Sequence, residues 1–314
     1  MSEDFEIKLM KKLKEKKLAD TSVNYYLRNL RKLNDDKEIK NLNFLSNKEK
    51  INKFIKSKKP NTQRNYYITI VSVLGTDDKK KALKTYYTNH MDQMNKDLKE
   101  KEGKNEKSET QKKNWIEEDE IKSIYNKYKE SVDKFKNEKN ISDNKFDTLL
   151  KYVILSLYVL IPPRRNKDYQ DAFLVKNTPE KEFDEDFNYV DLTKKNFVFN
   201  NFKTKKTEGQ KIIDIPNELM EVLEIYAKHH PLIDEGENTY DVPFLVNYDG
   251  EPLTQINAIT YLLNSIFKKN IGSSMLRHLY LSHKYGDTIK EQKKDAEIMG
   301  HSVSQQKDYV KLKK

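Results

Sequence analysis

The sequence predicts an α+β fold, mainly α with a small antiparallel β-sheet, arranged as two domains. Three observations predict it. Apolar residues recur at helical spacing along most of the chain, from Val23, Leu27 and Leu30 to Ile259, Leu263 and Ile266. Between residues 189 and 215 the period shortens to that of strands, in Tyr189-Val190-Asp191-Leu192, Phe197-Val198-Phe199 and Ile212-Ile213-Asp214-Ile215. Residues 101–113 lose apolar periodicity and read as a charged linker, dividing a 314-residue chain into domains at 1–100 and 114–314.

Composition narrows the chemistry. Sixty Lys and Arg against fifty Asp and Glu give a formal charge of +10, which suits a polyanionic partner or reflects a Lys- and Asn-rich genome. There is no cysteine, so disulfides, thiolate metal sites and cysteine nucleophiles are excluded. No apolar run reaches the ~18 residues of a membrane span, and Met1-Ser2-Glu3-Asp4 does not open a signal peptide, so an intracellular protein without a membrane partner is expected.

In the first domain, Val23, Tyr26, Leu27, Leu30 and Leu33 share one helical face, with Asp20, Thr21 and Ser22 available as caps. Ser46-Asn47-Lys48-Glu49 reads as a capping box before Ile51, Phe54 and Ile55. Asn61 precedes a helix carrying Tyr66, Ile70, Val73 and Leu74, and Leu83, Tyr87, Met91, Met94 and Leu98 align on a fourth. Four such helices make a small bundle with no catalytic constellation, suited to grip. The tyrosines at 25, 26, 66, 67, 86 and 87 sit at helical spacing, which favours core over contact with DNA sugars.

The second domain is expected to open with a helix at Trp115 that carries Ile121, Ile124, Tyr125, Tyr128 and Val132. The next, from Phe146 to Leu160, is apolar around its whole surface and so central to the fold. Pro162-Pro163 stops it, and Arg164-Arg165-Asn166-Lys167-Asp168 follows, charges that need partners at a buried helix end. The three β-runs come next, the last two joined by a turn carrying Lys203, Lys205 and Lys206. After them a helix from Pro216-Asn217 and a short strand at Phe244-Leu245-Val246 read as scaffold, and Thr254 reads as the cap of a helix carrying Ile256 through Phe267. Gly272-Ser273-Ser274 begins the helix that presents Arg277. His229 and His230 are adjacent and so have no metal-ligand spacing; they read as a helix C-terminus.

The end of the chain carries the chemistry. Arg277 in a helical turn, His301 just past the helix-ending Gly300, and Tyr309 eight residues further on make a phosphate clamp beside an aromatic hydroxyl. A phenol with pKa near ~10 is a poor nucleophile until such cations stabilise its anion.

Ser274-Met275-Leu276-Arg277, Gly300-His301 and Tyr309 resemble the C-terminal boxes of the tyrosine recombinase (phage integrase) family, where HxxR is followed by Gly-His and a nucleophilic Tyr. Pro163-Arg164-Arg165 with Asp168 resembles the family's first arginine box. The resemblance implies a helical core-binding domain joined to a tyrosine-recombinase catalytic domain, acting on double-stranded DNA as a dimer or tetramer, with no metal or nucleotide cofactor. It implies catalytic roles for Arg165, Lys203, Arg277, His301 and Tyr309, with Arg164 the alternative to Arg165 and Lys205 or Lys206 the alternatives to Lys203. Asp168 would hold Arg165 or a neighbour in place.

Two departures from the family pattern stand out. The usual His of HxxR is Ser274, which is no base near neutral pH and reads equally as an N-cap; His278, next to Arg277, would replace it only from a different face of the helix. Tyr309 also lies one residue nearer to His301 than is common. A type IB topoisomerase-like enzyme, or a DNA-binding protein that has lost catalysis, are the other readings of the same residues.

Overall fold

The computed structural model describes residues 5–103 and 106–311, in two compact units, Met1–Lys107 and Ser108–Lys314. The first is helical: α1 (Phe5–Glu15), α2 (Asp20–Leu33), α3 (Lys48–Lys56), α4 (Pro60–Leu74) and α5 (Lys81–Gly103). Val23, Leu27, Leu30 and Leu33 of α2 are all buried, as their spacing requires. Asp20 lies inside the first turn rather than capping it, with Ala19 at the N-cap. Asn47 caps α3 by accepting from the Lys50 amide, and Pro60 occupies the first turn of α4, where its missing N–H costs nothing.

Helix α1 has no counterpart among the expected elements. It buries Leu9 and Leu13, a pair too short to give a periodic signal, and its buried Glu6 pairs with Arg31 of α2. That guanidinium holds the Glu6 carboxyl below its usual range, against the opposing effect of burial. Among the tyrosines, Tyr66, Tyr67 and Tyr87 are core, the last donating to the Leu45 carbonyl at 2.7 Å. Tyr25, Tyr26 and Tyr86 are half-buried.

Residues 104 and 105 of the expected linker lie outside the described residues; α5 runs up to them at Gly103, and a new helix begins at Glu109. Ser108 and Gln111 form a reciprocal capping box that starts α6 (Glu109–Asn114). Trp115 closes α6 instead of opening the next helix, α7 (Glu118–Asp133). The segment is seated on the second unit: Lys269 donates to the Trp115 carbonyl at 2.9 Å, the Asn270 amide donates to the Asn114 side chain at 2.9 Å, and the His283 ring meets Trp115 edge to face at 5.9 Å.

Helix α8 (Asp143–Val159) runs through the centre of the second unit, with Leu149, Val153, Ile154 and Leu157 almost without exposure. Then come α9 (Asn166–Gln170), β1 (Ala172–Lys176), β2 (Asn188–Asp191), β3 (Asn196–Phe199), α10 (Lys205–Glu208), β4 (Lys211–Asp214), α11 (Asn217–Lys228), β5 (Tyr240–Pro243), α12 (Ala258–Phe267), α13 (Ser273–Ile298) and α14 (Val303–Tyr309). The fold is therefore α+β and mainly helical. The sheet differs from the expected three-stranded antiparallel one: it has five strands in the order β4-β3-β2-β1-β5, and β1 runs parallel to β2. Strand β1 hides directly behind the charged cluster, and β5 lies just ahead of the expected Phe244-Leu245-Val246, where only Val246 makes a bridge, to Pro252. Both faces of β2 are covered, one by the main core and the other by Val175, Val198, Phe173 and Phe183.

His230 belongs to this scaffold. Its Nε2 donates to the Pro243 carbonyl at 3.0 Å, and its Nδ1 accepts from the Leu232 amide. Burial pushes the imidazole from its ordinary 6.5 down to about 4. Between those values the unfolded chain takes up a proton that the folded chain refuses. The stabilisation is thus complete above pH 6.5 and lost as pH falls through 4, about 3 kcal/mol in all. Unfolding midpoints measured across that range should fall accordingly, and His230→Asn should flatten the dependence while lowering stability at pH ~8.

Candidate active site

Pro162 and Pro163 end α8 because neither supplies an N–H and each ring would crowd the preceding turn. The chain then turns, with Arg165 in extended backbone as the N-cap of α9, and Asp168 lands one turn into that helix. The Asp168 carboxylate is 3% exposed and holds Arg164, whose Nε donates to Oδ2 at 3.0 Å. The same guanidinium lies 3.8 Å from the centre of the Phe199 ring and 5.2 Å from that of Phe202. Burial pushes the Asp168 carboxyl up, and Arg164 first, then Arg165, pull it back. Arg164 is therefore fixed by a carboxylate and an aromatic face. Arg165 is half-buried, and among the described residues its guanidinium has no hydrogen bond or ion pair.

Arg277 reaches the same place from the other direction. It sits in the second turn of α13, half-buried, and among the described residues its Nε approaches only the Ser273 carbonyl of its own helix, at 3.4 Å. Arg164, Arg165 and Arg277 line one cleft of about 330 Å³ with Asp168, Glu208 and Lys211. The lining thus carries three arginines and a lysine against two carboxylates, an excess of two positive charges in a cleft roomy enough for a phosphate group.

The lysines sort differently from the sequence expectation. Lys203 is exposed and, among the described residues, is not part of the cleft lining. Lys205 turns to the preceding loop, donating to the Glu185 carbonyl at 3.1 Å, and Lys206 is exposed. Lys211 is the hairpin lysine that lines the cleft, paired with Glu208 at 3.2 Å. Sequence reasoning passed over it, because it falls between the lysines of the turn and the apolar run from Ile212. No local pattern marked it: its place follows from strand register, since Lys211 stands opposite Phe199, the residue on which Arg164 rests.

At the C-terminal end of α13, Gly300 adopts φ +71°, and the His301 amide donates back to the Ala296 carbonyl at 3.0 Å. This is the left-handed helix stop that glycine permits without strain. Ser302 and Gln305 form a capping box that starts α14. His301 Nδ1 lies 3.3 Å from the Ser302 carbonyl, and its buried Nε2 has no partner among the described residues. The His301 and Tyr309 rings lie 5.6 Å apart, and Tyr309 is 68% exposed.

The structure thus forms two groups, the arginine cleft and the His301–Tyr309 pair. Among the described residues neither of the latter lines the cleft. Ser274 and His278 are both exposed and outside it, and the N-cap of α13 is Gly272, so Ser274 is not the cap. No group of His, Asp and Glu among the described residues is arranged to hold a metal ion, and no described helix is long and apolar enough to cross a membrane. No protein-family model, curated protein or solved structure matches this chain.

Proposed function

We propose that the chain is a site-specific DNA recombinase that cleaves and rejoins double-stranded DNA through a 3′-phosphotyrosyl intermediate. The observation that carries this reading is the convergence of Arg164, Arg165 and Arg277, from two segments far apart in the chain, on one cleft roomy enough for a phosphate group. In the proposed step the Tyr309 oxygen attacks phosphorus, the Tyr–O–P bond forms, and the bond to the 5′-oxygen breaks. Phosphoryl transfer asks mostly for charge neutralisation and positioning, and paired guanidinium groups on the non-bridging oxygens supply both. His301, one helix start away from Tyr309, adds a hydrogen bond to the same phosphate. A lysine protonates the departing 5′-oxygen, and the proton that the Tyr309 hydroxyl gives up passes to the solvent around that exposed residue.

The test is formation of a covalent protein–DNA adduct on a nicked suicide substrate, on which the cleaved strand is lost and cannot be rejoined. No adduct with any duplex, alongside ordinary DNA affinity, returns the protein to the DNA-binding reading that Ser274 favours. Recombination of two duplexes against relaxation of one separates a recombinase from a topoisomerase-like enzyme.

Two lysines compete for the proton. Lys203 carries the resemblance, and Lys211 has the place in the cleft. Substitution of the true donor by Ala should slow cleavage of ordinary DNA and be rescued when the leaving oxygen is replaced by sulfur, which departs without a proton. Rescue of Lys211→Ala alone would move the role from the turn to β4. Rescue of neither would remove the hairpin from the chemistry.

DNA affinity should fall steeply with salt, since each phosphate contact releases condensed counterions. If the helical unit shares those contacts, residues 1–107 alone should bind duplex DNA at low salt. Loss of all affinity in that fragment would make it a protein-interaction module.

A further inference from the structure

A short chain of neutral hydrogen bonds, outside the cleft lining, ties the Arg164–Arg165 segment to α12, which lies against the start of the Arg277 helix. Tyr158, buried in the last turn of α8, donates its hydroxyl hydrogen to Asn166 Oδ1 at 2.7 Å. Asn166 is the residue after Arg165, and its Nδ2 donates to Thr260 Oγ1 on α12 at 2.9 Å. Thr260 in turn faces the start of α13: a side chain begun at Gly272, the N-cap of that helix, would meet the Thr260 methyl and hydroxyl at 3.8 and 3.9 Å. Arg277 stands one turn further on, close enough for its charge to act on the Tyr158 hydroxyl.

The residue types fit this job. An amide offers an acceptor to one neighbour and a donor to the other while carrying no charge; an Asp at 166 would set a carboxylate beside Arg165. Gln170 reinforces the same joint from the far end of α9, donating to the Gln255 carbonyl at 2.7 Å just before α12.

We infer that Asn166 and Thr260 are positioning residues, which hold the Arg165 segment and the Arg277 helix at the separation needed to grip one phosphate oxyanion from two sides. This rests on the proposed reading of the cleft as a phosphate site, but not on strand cleavage. A few tenths of an ångström of drift would turn two short charge-assisted bonds into one.

The test uses the full chain with inorganic phosphate as the probe, followed by calorimetric titration. Thr260→Val, nearly isosteric but without the hydroxyl, should weaken phosphate binding about tenfold, the scale of one lost hydrogen bond to a charged group. Thr260→Ser should stay within about twofold, because it restores the acceptor. In an Arg277→Ala background, Thr260→Val should cause no further loss, a result that general destabilisation would not give. Equal affinity in wild type and Thr260→Val, an undiminished effect in the Arg277→Ala background, or no phosphate binding by the wild type would each overturn the inference. Thr260-dependent phosphate binding without any DNA adduct would keep it and defeat the recombinase reading.

Discussion

Tyr309→Phe will give no covalent adduct on a nicked duplex and will bind that duplex almost as wild type does. The hydroxyl is the only group removed. Tyr309 is 68% exposed, so its loss takes nothing from the core, and the ring that faces His301 remains. No other tyrosine follows Gly300-His301 in the chain. The measurement is a denaturing gel of labelled DNA with each protein. An undiminished shifted band in the variant would remove Tyr309 from the reaction and send the search to the exposed tyrosines elsewhere.

The second large effect separates the arginines. Arg277→Ala and Arg165→Ala should each slow adduct formation by at least ~100-fold, the scale for losing one pre-organised donor to a transition-state oxygen, with little change in the unfolding midpoint. Arg164→Ala should behave differently, because it strips the cation from a carboxylate that is 3% exposed. Breaking such a pair from one side costs about 3 kcal/mol, so this variant should lose stability as well as any activity. Thermal unfolding beside single-turnover cleavage reads both. If Arg165→Ala cleaves normally while an Arg164→Lys variant folds and does not, the phosphate contact belongs to Arg164, and Arg165 is only a neighbour.

Legibility in the sequence followed the physics of each element. Long amphipathic helices announced themselves through spacing, as in α2, and the all-apolar α8 could only be central. What escaped was short or depended on contacts remote in sequence. Helix α1 has two buried leucines among lysines, and β1 and β5 are short strands whose partners decide their existence. At the candidate site, both arginine boxes were visible as charges attached to apolar helices, and both line the cleft. The partner of Asp168 was not fixed by spacing, since Arg164 and Arg165 stand within one turn of it, and the stacking surface of Phe199 chose the former. Lys211 was invisible for a similar reason: its place depends on strand register, which no local pattern in the hairpin states.

The seat of Trp115 gives the protein a built-in optical probe. It is the chain's single tryptophan, so all indole emission arises at one point, where the His283 ring of α13 meets it edge to face at 5.9 Å. Unlabelled protein therefore reports through intensity and wavelength on the contact between the opening segment of the second unit and the helix that carries Arg277. A stopped-flow trace on mixing with DNA would time any rearrangement of that contact against the appearance of product, with no dye attached and no residue replaced.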